Sequence, residues 1–386
     1  MALTPPARLL DCRFRASPDY ELRTLGRRRG PVQLPSSEHV FGRRAAGLLK
    51  PMRPGPPVRL VDAAGASLWR ELTRPLRLSS RARASLGARP RERIAELVLD
   101  GVLEVECSGR FVSGAAAHPL FFPDADAPAP ESRPADLSLR ALRYAAALGS
   151  VDARLLASRL YGFNTLPASP DARRRWPDGA GVAAFLRPDR YAHDRSVVPS
   201  TSGAWFIWRV RGASRPSRSE PCYKLYVSPH ADRLPAALDE VVPRLADVRA
   251  FECKVGGDIH GLLRPDKLVV YFRTLAALEA AARRWARALA GMPPHGVPFT
   301  ADLGGDGLLS WGLDPPGARR GLSKQGPSSW RDWITQRLAE ALVAARDSIP
   351  ASVPAWRFAL DRVALAGVDT RTWTPAPWLR RTAAFG

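Results

Sequence analysis

Lysine is scarce in this chain of 386 residues, because nearly all of its 58 basic residues are arginines. The only lysines are Lys50, Lys224, Lys254, Lys267 and Lys324. A lysine that is present despite this strong preference for arginine indicates a function that arginine cannot perform. An ammonium can lose its proton near neutral pH in a desolvated or cationic site, whereas a guanidinium cannot. Three of the five fall in residues 204–273, where we therefore expect chemistry.

Cysteine and long apolar runs are also rare. The four cysteines form no CxxC pair and no cluster with histidine at zinc spacing, so a structural metal site is not expected. Walker, HExxH, GxSxG and protein-kinase motifs are absent, and nothing predicts a cofactor. No stretch approaches the roughly 18 apolar residues of a membrane-spanning helix, and the first residues lack the apolar core of a signal peptide. We expect a soluble cytoplasmic protein with no membrane partner.

Positive charge is what the chain has in excess. Its formal net charge is +21 and its isoelectric point is near 11.0. Such a balance indicates an acidic partner, which could be nucleic acid, an anionic surface or a phosphorylated substrate. The arginines are scattered rather than grouped in long basic tracts, so solvated faces would also account for the excess.

The N-terminal part contains a helix followed by a hairpin. Apolar residues share one helical face over residues 91–100, Gly101 ends the helix, and two short strands cover residues 102–106 and 110–113. This order is the outline of a winged-helix domain, which could bind DNA or capture a peptide by adding a strand to its sheet. A small structural domain would show the same pattern.

Acidic side chains argue against DNA as the partner of this helix. The helix carries Glu92, Glu96 and Asp100, whose carboxylates would repel phosphate groups. Nucleic acid is therefore not the expected partner.

An acidic, proline-rich segment divides the chain. Residues 123–136 have no capacity to form a core and predict a linker between an N-terminal domain, 1–122, and a larger domain, 137–386. The larger domain opens with two amphipathic helices, which the pattern predicts over residues 137–148 and 152–161.

Beyond residue 204 the hydrophobic pattern alternates. It predicts a β-β-α-β-β-α order, and hence an α+β fold with an antiparallel, sandwich-like arrangement rather than a doubly wound parallel sheet. The predicted strands are 205–210, 223–227, 250–255 and 267–273, and the predicted helices are 234–245 and 275–289. Residues 296–316 are interpreted as a loop rich in glycine and proline, and residues 328–345 as a capped helix.

These strands place basic side chains on one face. Lys224 alternates with apolar neighbours and Lys254 shares a face with Glu252, so pairing of the two strands would gather amines and a carboxylate on one surface. Arginines on such a surface bind phosphate, and nearby cations lower the pKa of a lysine toward the range of a general base. The alternative is the solvated face of a half-exposed sheet. The candidate residues are Arg209, Lys224, His230, Lys254, His260, Arg264, Lys267 and Arg273.

Four segments of this region together resemble the HopA-like family. That family comprises bacterial type III effectors and the lyase components of class V lanthipeptide and thioamitide biosynthesis. The segments are residues 205–209, 223–226, 251–255 and 264–272, the last with an Arg-x-Asp-x-x-Val-x-Tyr pattern, and Leu160-Tyr161 matches an upstream motif. The resemblance covers about residues 137–345. It implies elimination of phosphate from phosphothreonine or phosphoserine in a precursor peptide, which leaves a dehydroamino acid.

The resemblance also implies roles for the candidate residues. Lys254 would be the base, with Lys224 as its alternate, and His230 or His260 would be the acid. The phosphate would be held by Arg209, Arg264, Lys267 and Arg273. The implied partners are a phosphorylated precursor peptide, a kinase and a cyclase. The N-terminal domain lies outside this resemblance, but its winged outline is similar to the peptide-recognition domains of peptide-modifying enzymes, which would suit contact with the leader of the peptide. Two alternatives remain: a non-catalytic phosphopeptide- or partner-binding protein on the same scaffold, and a winged-helix regulator that binds nucleic acid.

Overall fold

The computed structural model describes seven segments of the chain, residues 9–24, 45–54, 56–123, 129–217, 220–314, 329–346 and 353–382. Lys324 lies outside them. The helices of the N-terminal part are α1 (Ala63–Glu71), α2 (Ser80–Ser85), α3 (Pro90–Leu99) and α4 (Gly114–Phe121). Its strands are β1 (Arg13–Ala16), β2 (Tyr20–Thr24), β3 (Ala45–Pro51), β4 (Arg59–Asp62), β5 (Leu76–Arg77), β6 (Leu103–Cys107) and β7 (Arg110–Val112).

The remaining elements belong to the larger part of the chain. Its helices are α5 (Arg133–Ala147), α6 (Ala153–Tyr161), α7 (Pro170–Arg175), α8 (Gly179–Leu186), α9 (Leu234–Val241), α10 (Ile259–Leu263), α11 (Leu275–Ala288), α12 (Trp330–Arg346), α13 (Ala355–Leu365) and α14 (Pro377–Thr382). Its strands are β8 (Val197–Thr201), β9 (Trp205–Val210), β10 (Cys222–Val227), β11 (Ala250–Gly256), β12 (Leu268–Phe272), β13 (Ala301–Asp302), β14 (Leu309–Asp314), β15 (Val368–Asp369) and β16 (Thr374–Pro375).

The centre of the fold is an antiparallel sheet of seven strands in the order β13-β14-β10-β12-β11-β9-β8. Leu225, Val270 and Cys253 lie opposite one another on its three central strands and are wholly buried. Helix α11 packs on β10 and β12 and buries Trp285, whose ring lies 6.5 Å from that of Phe272. The predicted α+β fold with an antiparallel sheet is confirmed. The four strands and two helices predicted beyond residue 204 all form.

Residues 296–316 are a correction, because β13 and β14 lie in the segment interpreted as a loop. Strand β14 pairs with β10 over its whole length. Its Gly312 is required by packing rather than by a turn, since a Cβ there would lie 2.5 Å from the ring of Trp330. A glycine inside a strand marks such a close approach. The glycines and prolines around it in residues 296–316 nevertheless led to the interpretation of a loop. Residues 315–316 lie outside the described segments.

The two predicted helices after the linker both form. Helix α6 is capped by Asp152, whose carboxylate accepts the backbone N–H groups of Arg154 and Leu155 at 2.8 and 3.2 Å. Helix α5 begins at Arg133, so the last residues of the predicted linker, 123–136, are helical. The pattern missed this start because Pro134 suits the first turn of a helix as well as a linker.

The predicted helix and hairpin of the N-terminal part also form, as α3, β6 and β7. The hairpin belongs to a four-stranded sheet in the order β5-β1-β6-β7. Helix α3 packs against α13, and Asp100 at its end pairs with Arg362. The winged-helix designation and the division into two domains stay predictions. No helix among the described residues combines the length and the apolar character needed to cross a membrane.

Candidate functional site

The face of the central sheet opposite α11 borders a cavity of about 310 Å³. The ends of α6, β14 and α12 complete its walls. We call this cavity the cleft. It is lined by Tyr161, Trp205, Lys224, Tyr226, Glu252, Lys254, Arg264, Asp266, Val269, Tyr271, Asp314 and Ser329.

Strand register explains why distant residues meet in the cleft. Lys224 on β10 lies opposite Tyr271 on β12, which lies opposite Glu252 on β11, which in turn lies opposite Arg209 on β9. These four side chains form one row across the sheet. Lys254 lies two residues beyond Glu252 on β11, and because side chains alternate along a strand it occupies the same face. The two predicted lysines therefore share one surface.

Lys254 is the least restrained cation of the cleft. Its Nζ lies 4.2 Å from the ring centroid of Trp205 and 5.6 Å from that of Tyr271. It makes no hydrogen bond or ion pair with the residues that the structure describes. Burial, and next the positive charge of Lys224, lower the pKa of Lys254 to about 8. A substantial fraction of the amine is therefore neutral near pH 8, as a general base requires.

Lys224 has the opposite character. Its Nζ lies 2.8 Å from Oδ1 of Asp314. Burial alone would lower the pKa of Lys224, but the Asp314 carboxylate outweighs burial and raises it. Lys224 therefore stays an ammonium and supplies a fixed positive charge to the cleft.

A second fixed cation comes from the Arg-x-Asp pattern. Arg264 donates two parallel hydrogen bonds of 2.9 Å to Asp266 and a third, of 3.1 Å, to the hydroxyl of Tyr161. Nη1 of Arg331 lies 2.8 Å from the same carboxylate, an ion pair without hydrogen-bond alignment. Although burial opposes it, these two guanidiniums hold the pKa of Asp266 far below its usual range. The arrangement locks Arg264 in place while leaving 31% of its side chain exposed.

Positive charge exceeds negative charge around the cleft. Glu252 is shared by Arg209, whose Nε lies 3.0 Å away, and by Arg215, whose Nε lies 3.1 Å away. The basic side chains of the cleft and its immediate contacts are Lys224, Lys254, Arg264, Arg331, Arg209 and Arg215, against the carboxylates Glu252, Asp266 and Asp314. Six basic groups against three carboxylates suit a dianionic ligand such as a phosphate ester.

Four of the predicted site residues are not brought to the cleft. Lys267 is wholly buried elsewhere, with its Nζ 3.0 Å from the carbonyl of Pro229 and 2.7 Å from Nδ1 of His295. Arg273, directly after β12, donates to the carbonyl of Ser214 at 3.3 Å and pairs with Glu220. His230 and His260 are exposed, and neither lines the cleft. Their placement does not support the roles of acid and phosphate ligand implied for these four.

Several cleft residues were not found from the sequence. Tyr161 and Asp266 stood inside motifs that were recognised, but neither was taken as functional; beside Asp266 only the basic residues Arg264 and Lys267 were. Asp314 lies at the end of the strand that was interpreted as a loop. Arg331 is one of many arginines, and nothing in its local pattern shows that its side chain is buried against Asp266.

Comparison with known proteins gives a partial likeness of fold. No protein-family model and no curated protein matches the chain. Two solved structures that it resembles are effector proteins of Pseudomonas syringae. The one from pathovar tomato strain DC3000 has a TM-score of 0.40 at 11% identity, covering 63% of this chain and 99% of the effector. The one from pathovar syringae strain 61 has a TM-score of 0.38 at 17% identity, covering 64% and 98%. Likeness at these TM-scores assigns neither family nor activity.

Proposed function

We propose that the protein is a carbon–oxygen lyase that eliminates phosphate from phosphothreonine or phosphoserine in a ribosomally made precursor peptide. The observation that carries this proposal is Lys254. Its amine has a lowered pKa and no ion-pair partner among the described residues, and it lies in a cleft with excess positive charge. Such an elimination needs both features, a base for the Cα proton and cations for the departing phosphate.

The residues divide the reaction between them. The neutral amine of Lys254 takes the proton from Cα, and the electron pair of that C–H bond forms the Cα=Cβ double bond. The Cβ–O bond breaks, its electron pair passes to the oxygen, and phosphate leaves after taking up one proton from water. Arg264 and the ammonium of Lys224 stabilise the charge that develops on the oxygen. Lys254 then returns its proton to solvent.

The fixed ion pairs support this division of roles. A bound phosphate dianion would raise the pKa of Lys254 and so weaken it as a base. Lys224 and Arg264 oppose that effect because each keeps its positive charge next to the anion. A kinase that forms the phosphoester and a cyclase that consumes the alkene would be the corresponding partner enzymes.

The same cations favour one alternative, a phosphopeptide-binding protein without catalysis. Lys224 and Arg264 are held by carboxylates in a geometry that is ready for an anion, and binding alone would require nothing more. That alternative predicts indifference to exchange of Lys254 for arginine, since both side chains are cations.

Mass spectrometry of a phosphopeptide incubated with the protein tests the proposal. The probes are two synthetic peptides that differ only in carrying phosphothreonine or phosphoserine. Elimination removes phosphoric acid from the peptide and leaves an alkene, and a thiol reagent then adds to that alkene. Hydrolysis would restore the hydroxyl group, and an inert binding protein would leave both peptides intact. Either of these two results would refute the lyase assignment.

A further inference from the structure

Two half-exposed arginines lie beside the cleft and share one buried carboxylate. The side chains of Arg209 and Arg215 are 46% and 48% exposed, whereas that of Glu252 is 8% exposed. One carboxylate balances one guanidinium, so a positive charge remains open at this end of the cleft. Arg209 contacts Glu252 only through Nε, and its two Nη groups donate no hydrogen bond to any described residue. Those groups are free to receive an anion.

The positions of Arg209 and Lys254 in the sheet determine the distance between them. The two residues lie on the neighbouring strands β9 and β11, on the same face and two residues apart in register. Strands are about 4.8 Å apart and residues rise about 3.4 Å along them, which separates the two Cα atoms by roughly 8 Å. An extended peptide covers about 7 Å in two residues and returns to the same side. A substrate whose phosphoresidue faces Lys254 can therefore present its next-but-one side chain to Arg209.

We propose that Arg209 and Arg215 form a subsite for a second anionic side chain of the substrate. The preferred substrates are then phosphopeptides with a carboxylate, or a second phosphate, two residues from the reacting phosphoresidue. A planar guanidinium suits either group, because both accept paired N–H donors. This inference rests on the proposed function for the identity of the peptide, but it concerns binding rather than elimination.

Binding measurements with matched peptides test the subsite. Fluorescence anisotropy compares phosphothreonine peptides that carry aspartate, asparagine or phosphoserine two residues before or after the phosphothreonine. The Lys254→Met background prevents turnover during the measurement. We expect the aspartate peptide to bind about five- to tenfold tighter than the asparagine peptide on one of the two sides. A larger gain for phosphoserine than for aspartate would identify a second phosphate as the preferred group.

Substitution of the subsite shows whether these arginines are responsible. In Arg209→Gln we expect the preference for the aspartate peptide over the asparagine peptide to vanish, because the free Nη groups are lost. Arg159→Gln removes the same charge from the exposed face of α6 and should keep the preference. Arg215→Gln serves as a second variant, and circular dichroism verifies that each variant is folded. An aspartate preference that is absent in the parent, or that survives loss of both arginines, overturns the subsite.

The outcome separates this inference from the proposed function. Selective binding of acidic phosphopeptides without elimination by the unsubstituted protein would keep the subsite and refute the lyase. Elimination with no preference for a second anion would keep the lyase and refute the subsite. Absence of binding to every phosphopeptide would refute both.

Discussion

Two lysines, Lys254 in β11 and Lys267 directly before β12, have pKa values that burial lowers, but their surroundings are opposite. Burial lowers the pKa of Lys254 to about 8 and that of Lys267 to about 7. Lys254 borders an open cavity of about 310 Å³ and has no hydrogen-bond partner among the described residues. Lys267 is 0% exposed and has two acceptors within 3.0 Å. A lowered pKa alone therefore does not mark a catalytic lysine. Access and unused hydrogen-bonding capacity distinguish the two.

The surroundings of Lys267 suit a neutral amine. An uncharged amine has two N–H groups, and Pro229 and His295 provide one acceptor each. Nε2 of His295 lies 2.7 Å from the carbonyl oxygen of Asn164, so this nitrogen is the donor and Nδ1 accepts from Lys267. Burial, and next the charge of Lys267, lower the pKa of His295 to about 3. The pair therefore joins the segment after α6 to the sheet, which is a structural role.

Exchange of Lys254 for arginine should have the largest effect on the elimination rate. Lys254→Arg keeps a cation but loses a base that can deprotonate, so we expect the elimination rate to fall by about 10²- to 10⁴-fold with phosphopeptide binding retained. Lys50→Arg, on an exposed position of β3, is the matched control and should keep full activity. Single-turnover kinetics measures both variants. Substantial turnover by Lys254→Arg would remove Lys254 from the role of base.

Loss of Lys267 should change stability and its pH dependence. The pKa of Lys267 is about 7 in the folded protein and about 10.4 for a free side chain. Between these values the unfolded chain holds more protons, so the stability of the parent protein rises with pH by up to about 1.4 kcal/mol per unit. Lys267→Met lacks this contribution. Its stability deficit, measured by urea denaturation, should therefore shrink as the pH falls from 10 toward 7.

Parallel stability curves for the parent and Lys267→Met over that range would show that Lys267 titrates at its ordinary pKa. Lys50→Met, at an exposed position of β3, is the control, because loss of an exposed lysine should change stability little.

Removal of Lys224 should shift the pH profile of elimination. Activity is expected to rise with pH through about 8, because the neutral form of Lys254 is the base. The charge of Lys224 contributes to the lowered pKa of Lys254. Lys224→Met should therefore reduce the rate and also shift the rise of activity to higher pH. The profile of kcat/KM reports the shift. If activity of Lys224→Met rose over the same pH range as that of the parent, the two amines would not interact.

Substitution of the histidines should have the smallest effect. Neither His230 nor His260 lines the cleft, so His230→Gln and His260→Gln should each keep the elimination rate within about twofold of the parent rate. A loss of more than about 10²-fold in either variant would instead be the size expected for removal of a general acid, and would return that histidine to the mechanism.

Sequence patterns predicted the sheet better than the site. Alternation in β10 and β11 was enough to place Lys224 and Lys254 on one face, because strand geometry fixes the side of each residue. It could not reveal that Lys267, in register with that face, turns into the protein toward His295. Nor could it find Asp314 or Arg331, whose importance depends on partners that are distant in the chain. Local pattern gives the face of a strand, whereas the depth of a side chain and its partners come from tertiary packing.

The scarcity of lysine allows one direct measurement of the central claim. Reductive methylation with ¹³C-formaldehyde labels accessible amines, and with five lysines in the chain each NMR signal can be assigned by a Lys→Arg variant. We predict that Lys254 is labelled and that its signal titrates with a midpoint near 8. Addition of inorganic phosphate should shift this midpoint to higher pH, and Lys267 should stay unlabelled in the folded protein. A Lys254 signal that titrates near 10.5, the ordinary value for a lysine, and ignores phosphate would contradict the account.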